Sequence, residues 1–186
     1  MNFDQTLNNR RALRTLGEIE ISEEDIKELA RAASLAPSCY NKQPWRYVFV
    51  REEQQLQKLV QAMPQGNQAW ATNASMIIGV FANKNNDCIV GSREYYQFDT
   101  GMATCNLLLK ATEMGLVAHP IAGFDQDQCA DILNIPEESE LITLLVVGKK
   151  VDEIDDNLPE EMQETEKNRP ERKKFKEYCF LDKLSG

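Results

Sequence analysis

Two polar segments near the amino terminus carry side chains suited to ligand binding. The first, Arg10-Arg11-Ala12-Leu13-Arg14, places three guanidinium groups close together, and such groups bind phosphate through forked hydrogen bonds. The second, residues 37–45, is bracketed by prolines that fix φ and presents the polar side chains of Ser38, Asn41 and Gln43. Together the segments favour a phosphorylated planar heterocycle as the ligand, whereas the second segment alone also fits a helix stop followed by a turn.

Histidine chemistry is restricted because the chain has a single histidine, His119. Serine-histidine triads and two-histidine metal sites would all depend on that one residue. It precedes Pro120, which favours extended backbone, so we expect a hydrogen-bonding role at a strand end. No Walker sequence and no Gly-x-Gly-x-x-Gly run occurs, so a nucleotide would have to be bound by other means.

The five cysteines, at positions 39, 88, 105, 129 and 179, are odd in number and include no pair at two-residue spacing. They therefore predict neither a zinc site nor a disulfide framework. We expect four of them to behave as small buried apolar residues. Cys39 lies within the polar loop, where it is either an adapted packing residue or a reactive thiol.

The order and spacing of these motifs resemble those of the FMN-dependent nitroreductase family. The amino-terminal part of the resemblance consists of the arginines at 10, 11 and 14, followed by Ala36-Pro37-Ser38, Asn41 and Gln43-Pro44-Trp45. Further segments follow in the family's order: Asp99-Thr100-Gly101-Met102-Ala103, Asn106 to Ala111, Gly115-Leu116, Pro120 to Phe124, Asn134-Ile135-Pro136 and Leu144 to Gly148. The resemblance covers roughly residues 10 to 150, with a weaker echo near Arg169.

The resemblance implies that FMN is bound at the interface of a homodimer. The residues that it assigns to cofactor binding are Arg10, Arg11, Arg14, Pro37, Ser38, Cys39, Asn41, Gln43, Asn67, Pro120, Ile121, Ala122, Gly123, Lys167 and Arg169. The amino-terminal arginines would surround the phosphate or the ring, and the loop around Ser38 would come from the partner subunit. Ala122 and Gly123 would approach the ring through their backbone amides. A basic residue of the carboxyl-terminal segment, Arg169 or Lys167, would reach the phosphate.

The same resemblance implies an oxidoreductase that uses NADH or NADPH to reduce FMN and then an electron-poor acceptor, such as a nitroaromatic or a quinone, with ping-pong kinetics. No side-chain nucleophile is required. Three residues, Ala12, Cys39 and Ala122, replace more polar residues of the family pattern. We expect these replacements to change FMN affinity or the redox potential of the flavin. Two alternatives remain: a flavin-dependent dehalogenase or flavin-modifying enzyme of the same superfamily, and a regulatory protein that binds FMN without turnover.

Helices and strands must alternate to position these residues. Ser22 and Asp25 predict a capping box for a helix that Pro37 ends, and this helix delivers the polar loop. Strands are predicted at 47–51, 75–82, 116–121 and 141–148, with shorter helices at 52–62 and 126–133. The pattern and the resemblance together predict an α+β fold: a three-layer α/β/α sandwich whose central mixed, mostly antiparallel sheet of about four to five strands is flanked by helices.

Residues 94–114 predict the longest helix of the chain. Its large apolar residues lie on one side, with two further positions widening the stripe: Phe98, Met102, Cys105, Leu108 and Leu109, then Leu107 and Ala111. A helix that is apolar around so much of its circumference must be buried on several sides. Burial inside the domain and burial against a second copy both explain the pattern, and the resemblance implies a long central helix at a homodimer interface.

Residues 151–186 differ in composition from the rest of the chain. From Val151 to Glu166 there are eight acidic residues and no basic ones, which predicts an exposed connection. Residues 167–174 are rich in basic side chains, and the apolar residues Phe175, Tyr178 and Phe180 follow. This tail is either a solvated charged segment or, as the resemblance implies, a segment that wraps over the partner subunit.

Overall composition limits the class of protein. A chain of 186 residues with 42% hydrophobic and 27% charged residues fits one domain, residues 1–186, with its core at 10–150. The net charge of -9 disfavours nucleic acid and anionic membrane surfaces as partners. No apolar run approaches the ~18 residues of a membrane span, and the first residues lack the pattern of a secretory signal. We therefore expect a soluble cytoplasmic protein that acts on a small-molecule acceptor.

Overall fold

The computed structural model describes residues 1–184 and contains a central five-stranded sheet with helices on both faces. The seven α-helices of this part of the chain are α1 (Phe3–Asn9), α2 (Glu23–Ser34), α3 (Glu53–Gln61), α4 (Gln65–Ala71), α5 (Tyr96–Glu113), α6 (Gln126–Ile132) and α7 (Glu160–Lys167). The strands are β1 (Leu16–Gly17), β2 (Trp45–Val50), β3 (Met76–Ala82), β4 (Ile89–Val90), β5 (Arg93–Glu94), β6 (Leu116–Ile121) and β7 (Glu140–Lys150). Short 3-10 turns occur at Cys39–Asn41, Lys84–Asn86 and Phe175–Glu177.

Strand β7 organises the sheet because it pairs with three other strands. It pairs with β3 from Met76 opposite Val147 to Ala82 opposite Glu140, and with β6 from Leu116 opposite Lys149. The short β1 pairs with its last two residues, and β2 completes the sheet beside β3. Every one of these pairings is antiparallel. The predicted mostly antiparallel sheet of four to five strands is therefore confirmed.

Side chains alternate between the two faces of the sheet, as the twofold repeat of a strand requires. In β3, Ile77 packs in one hydrophobic cluster, whereas Met76 and Ile78 pack in the other. The first cluster includes residues of α3, α4 and α6, and the second includes residues of α2 and α5. The predicted three-layer α/β/α sandwich is confirmed by this division.

The helix boundaries follow local sequence signals. The Ser22 side chain accepts a hydrogen bond from the backbone of Asp25, and the Asp25 carboxylate accepts one from the Ser22 backbone, so the predicted capping box of α2 is confirmed. At the start of α3, the Glu52 carboxylate accepts hydrogen bonds from two backbone N–H groups. The predicted strands and the remaining helices agree with the structure to within a few residues at each end.

Helix α5 buries part of its predicted apolar stripe in the domain core. Leu107 and Ala111 are fully buried, and Met102 and Leu108 pack against the same cluster, whereas Phe98 is 64% exposed. Burial inside the domain therefore accounts for much of the stripe but not for Phe98.

The prediction of an exposed connection over residues 151–166 is wrong in its second half. Residues 160–167 form helix α7, and both Leu158 and Glu166 are buried. The sequence of α7 contains no run of apolar residues, and its buried residue is Glu166. Among residues 1–184, no helix combines the length and the apolar character needed to cross a membrane.

Candidate functional site

A cationic cavity of about 230 Å³ lies where the segment after α1 meets the end of α7. We call it the arginine pocket, and its lining residues are Arg10, Arg11, Ala12, Arg14, His119, Thr165, Arg169, Pro170 and Arg172. Four of the residues expected to bind the cofactor, the arginines at 10, 11, 14 and 169, thus meet in one place. Lys167 does not line the cavity and is exposed.

A buried carboxylate fixes one wall of the arginine pocket. The side chain of Glu166 accepts hydrogen bonds from the backbone N–H groups of Arg14 at 3.0 Å and Thr15 at 3.2 Å. It also lies 4.0 Å from the guanidinium group of Arg14. The guanidinium group of Arg11 donates to the backbone carbonyl of Thr165. Helix α7 therefore holds the amino-terminal arginine run in place through contacts more than 150 residues apart in sequence.

Arg169 joins the carboxyl-terminal segment to the end of α1. Its guanidinium group donates to the carbonyl of Asn8 at 2.6 Å and to that of Arg10 at 2.7 Å. Partial burial, and then the positive charges of the neighbouring arginines, lower the pKa of Arg169. The contribution from Arg10, Arg172 and Arg11, which is smaller than that of burial, is one that a bound anion would offset.

The single histidine packs against the inner wall of the arginine pocket. Its Nδ1 lies 3.0 Å from the carbonyl of Leu13, and its ring stacks on Trp70 with centroids 4.7 Å apart. A carbonyl can only accept, so Nδ1 carries the proton of the neutral ring. Burial is the main cause that lowers the pKa of His119, with the positive charge of Arg14 acting in the same direction. The predicted hydrogen-bonding role of His119 is confirmed.

Five arginines line the arginine pocket and give it the charge needed to bind an anion, while the carboxylate of Glu166 is not among its lining groups. The side chain of Arg10 has no hydrogen bond or ion pair with any residue in the range 1–184, although it lines the cavity. The volume of about 230 Å³ exceeds several times the ~30 Å³ that one water molecule occupies in the liquid, so a phosphate group fits. The residues present therefore match the phosphate end of FMN in charge, donor type and space.

The polar loop after α2 forms a second group of candidate residues. Tyr40, Asn41 and Gln43 all adopt positive φ, between 49° and 56°, a conformation that costs energy for residues other than glycine. The Ser38 hydroxyl supports this geometry by accepting a hydrogen bond from the Gln43 backbone at 3.0 Å. The Gln43 amide donates to the side-chain oxygen of Asn41 at 3.2 Å. The loop is thus held in one shape, and strained backbone of this kind is typical of functional sites.

Cys39 is bonded to Cys88, so the expectation that the cysteines form no disulfide is wrong. The two residues are 49 positions apart, and their Cα atoms lie 6.0 Å from each other. Burial of the remaining cysteines is also mixed, since Cys129 is buried whereas Cys105 is exposed. The disulfide links the polar loop to the segment before β4, a contact for which the sequence carries no local signal.

A third group of candidate residues lies at the end of β6. The Asn67 amide donates to the carbonyl of Gly123 at 2.9 Å. A Cβ atom at position 123 would lie 2.8 Å from that amide nitrogen, so a larger residue there would displace the Asn67 side chain and disturb this hydrogen bond. Ile121 is buried in the core, and its carbonyl accepts a hydrogen bond from the Thr143 hydroxyl. Pro120 and Ala122 are exposed beside it.

Within one chain the polar loop remains separate from the arginine pocket, whereas His119, which lines the pocket, directly precedes Pro120 of the third group. Among residues 1–184, no hydrogen bond joins the loop at 37–43 to a side chain of the arginine pocket, and the loop does not line it. Arg172 was missed by the sequence reasoning, although it belongs to the basic run that follows α7. Four larger cavities, of about 530, 600, 350 and 260 Å³, contain none of the candidate residues.

The fold is that of an α/β/α protein, and the arginine pocket is its candidate site for an anionic ligand. The model of the Nitroreductase family matches residues 7–149 of the chain. The chain therefore belongs to the nitroreductase family, and the resemblance found in the sequence is confirmed.

Individual relatives support this membership. A protein of Archaeoglobus fulgidus, assigned by name as an NADH dehydrogenase or NAD(P)H nitroreductase, is 27% identical over 155 residues, which cover 78% of this chain and 84% of the relative. YdgI of Bacillus subtilis, assigned by name as an NAD(P)H nitroreductase, is 26% identical over 188 residues, with 81% and 90% coverage. The crystal structure of an oxidoreductase containing FMN superposes with a TM-score of 0.85 at 26% identity and covers 100% of this chain and 94% of that one.

Proposed function

We propose that the protein is an FMN-dependent oxidoreductase that transfers electrons from NADH or NADPH to an electron-poor small molecule, such as a nitroaromatic or a quinone. The arginine pocket is the observation that carries this proposal. Five guanidinium groups line a cavity of about 230 Å³, whereas the carboxylate beside them is that of Glu166. The relatives named for NAD(P)H and the structure named for FMN agree with these cofactors.

Arg10, Arg11, Arg14 and Arg169 would hold the phosphate, with Arg172 as an addition to that set. Arg169 also orders the site, because its hydrogen bonds to backbone carbonyls hold the tail against the end of α1. Lys167 is the weaker candidate because it is exposed outside the cavity. Neutral His119 would add a hydrogen-bonding wall without adding charge.

Gly123 and its neighbours would line the flavin ring through backbone rather than side-chain atoms. The absence of a Cβ at Gly123 lets Asn67 approach its carbonyl, and this contact fixes the strand end beside the ring. Ile121 is committed to the core, so it would contribute only its backbone. The chemistry supplied by bound FMN is the acceptance of a hydride from NADH or NADPH and the reduction of the acceptor.

We further propose that the chain, residues 1–186, functions as a single FMN-binding domain within a homodimer in the cytoplasm. The large apolar residues of α1 and α5, Phe3, Leu7 and Phe98, are exposed in the single chain, as are Phe175 and Tyr178 of the tail. Exposed apolar surface of this extent marks an interaction site. A second copy would cover it and would bring Pro37, Ser38, Cys39, Asn41 and Gln43 of its own loop toward the arginine pocket.

The visible absorbance spectrum tests the proposed activity. The protein is incubated with FMN, desalted and titrated without oxygen with NADH and, separately, with NADPH. Retained flavin bands that bleach support the oxidoreductase and identify the donor. Retained bands that do not bleach with either donor favour a protein that binds FMN without turnover, and a protein that retains no flavin contradicts the proposal.

Steady-state kinetics and light scattering address the remaining parts of the proposal. Parallel lines in double-reciprocal plots at several acceptor concentrations are expected for the ping-pong order, in which donor and acceptor use the same site in turn. Intersecting lines would contradict that order. Light scattering of the FMN-loaded protein should give the mass of two chains, and a flavin-loaded monomer would refute the shared site.

A further inference from the structure

A buried carboxylate with an unused oxygen lies beside the Cys39–Cys88 pair. Asp87 is 4% exposed, and its Oδ1 accepts a hydrogen bond from the backbone N–H of Cys88 at 2.7 Å. Its Oδ2 is buried and has no hydrogen-bond partner within residues 1–184. Because desolvating a carboxylate oxygen is costly, such an oxygen normally faces a donor or a cation.

The two cysteine sulfurs and a carboxylate oxygen of Asp87 lie within 4.8 Å of one another. Two sulfur ligands and one oxygen ligand suit Zn²⁺, which accepts thiolate and carboxylate groups in tetrahedral sites and can keep a fourth position for water. We propose that the reduced form of the Cys39–Cys88 pair, together with Asp87, binds one thiophilic divalent cation such as Zn²⁺. This proposal goes beyond the proposed function and does not depend on flavin.

Backbone hydrogen bonds hold both cysteines in place independently of their disulfide. The Cys39 N–H donates to Oδ2 of Asp99 at 2.6 Å, and the Cys39 carbonyl accepts from the Lys42 backbone at 3.1 Å. The Cys88 carbonyl accepts from the Tyr95 backbone at 3.1 Å. Reduction therefore leaves two thiols on neighbouring backbone segments with Cα atoms 6.0 Å apart.

The charges around the pair also suit a cation. Two thiolates and the carboxylates of Asp87 and the neighbouring Asp99 place four negative charges in a small volume, which a divalent cation offsets more fully than hydrogen bonds do. The ammonium group of Lys42 lies 3.4 Å from the backbone carbonyl of Asp87 and balances part of the remainder. Asp99 is not assigned as a metal ligand, because its carboxylate accepts a hydrogen bond from the Cys39 backbone and so holds that ligand residue in position.

Disulfide and metal site are mutually exclusive states of the same two sulfurs. A trialkylphosphine and one water molecule convert the disulfide into two thiols and a phosphine oxide. The cation then displaces one proton from each thiol and binds the resulting thiolates. Metal binding therefore requires prior reduction and becomes tighter as pH rises.

Cobalt binding to the reduced full-length protein tests the proposal. The protein is treated with a trialkylphosphine, desalted under nitrogen, checked by circular dichroism for an unchanged fold, and titrated with Co²⁺ as a coloured substitute for Zn²⁺. We expect thiolate-to-cobalt charge-transfer absorption that saturates at one equivalent, and its loss when Zn²⁺ is added. The untreated protein should give no such band.

Four variants assign the ligands. Cys39→Ser and Cys88→Ser should each lose the charge-transfer band at one equivalent, and Asp87→Asn should weaken binding by roughly 10- to 100-fold. Cys105→Ser is the matched control, because Cys105 is exposed and unbonded, and it should bind as the unaltered protein does. The proposal is refuted if the reduced, folded protein gives no band, if Cys88→Ser retains it, if the untreated protein shows it equally, or if reduction alone unfolds the protein.

Discussion

Arg10 allows the proposed phosphate site to be tested with little structural disturbance. Its guanidinium group lines the arginine pocket but makes no hydrogen bond or ion pair within residues 1–184. One charge-assisted hydrogen bond contributes roughly 1.5 to 3 kcal/mol, and 1.36 kcal/mol corresponds to about a tenfold change in an equilibrium constant. Arg10→Gln should therefore weaken FMN binding roughly 10- to 150-fold, while the free energy of unfolding changes by less than about 0.5 kcal/mol.

Arg14→Gln should behave differently because Arg14 also serves the fold. Its guanidinium group lies 4.0 Å from the carboxylate of Glu166, which is buried. Removing the cation leaves that carboxylate with only its two backbone donors, so we expect a loss of about 1 to 3 kcal/mol of stability in addition to weaker FMN binding. The contrast between the two variants separates the binding role from the structural role.

Calorimetric titration with FMN and with riboflavin is the decisive assay. Riboflavin has the same ring but no phosphate, so Arg10→Gln should bind riboflavin as tightly as the unaltered protein does. Arg31→Gln is the matched control, because Arg31 lies on α2 in an exposed pair with Glu28 and should leave both affinities unchanged. The reasoning is refuted if Arg10→Gln keeps its FMN affinity, or if riboflavin binding falls by the same factor as FMN binding.

Three further perturbations test other parts of the structure. The Cys39–Cys88 bond joins residues 49 positions apart, so its reduction in metal-free solution should lower the free energy of unfolding by about 4 kcal/mol. Equal urea midpoints with and without a trialkylphosphine would contradict this prediction. Burial lowers the pKa of His119 in the folded state, so the unfolded chain binds the proton more readily. The free energy of unfolding should therefore fall as the pH drops through 6.5. Urea titrations of His119→Gln should show a smaller fall. Gly123→Ala places a Cβ 2.8 Å from the Asn67 amide nitrogen, so it should lower the free energy of unfolding by about 1 to 3 kcal/mol and weaken FMN binding. Gly66→Ala is the control, because its Cβ meets no atom within 4 Å, and it should not lower the melting temperature.

Local signals explain the parts of the fold that the sequence predicted well. The capping box of α2 depends on two residues that are three positions apart, and both hydrogen bonds form. Strand β3 lies within a continuous apolar run, which is typical of a buried sheet. The family resemblance predicted that Arg169 shares the phosphate site with the amino-terminal arginines, but from a tail that wraps over the partner subunit. The contact of Arg169 with Arg10 of its own chain was not predicted, since nothing local to either segment indicates the other.

Three features could not be read from local sequence for physical reasons. The Cys39–Cys88 bond depends on two loops that only the tertiary fold brings together. The run of acidic residues does not indicate that Glu166 is buried. The backbone N–H groups that donate to its carboxylate belong to Arg14 and Thr15, near the other end of the chain. The core side of α5 combines small residues such as Ala103 and Thr104 with the fully buried Leu107, whereas Phe98 of the same helix is exposed, and the apolar pattern alone does not separate these positions.

The charge distribution explains how an acidic protein can hold an anionic cofactor. The net charge of -9 would by itself repel a phosphate group. At a Debye length of about 8 Å in physiological salt, however, most of that charge is screened, and only groups within the pocket act strongly. Beside the arginine pocket, the buried carboxylate of Glu166 accepts hydrogen bonds from two backbone N–H groups and faces Arg14. The carboxylate therefore orders the site while the remaining guanidinium charge stays available to the ligand.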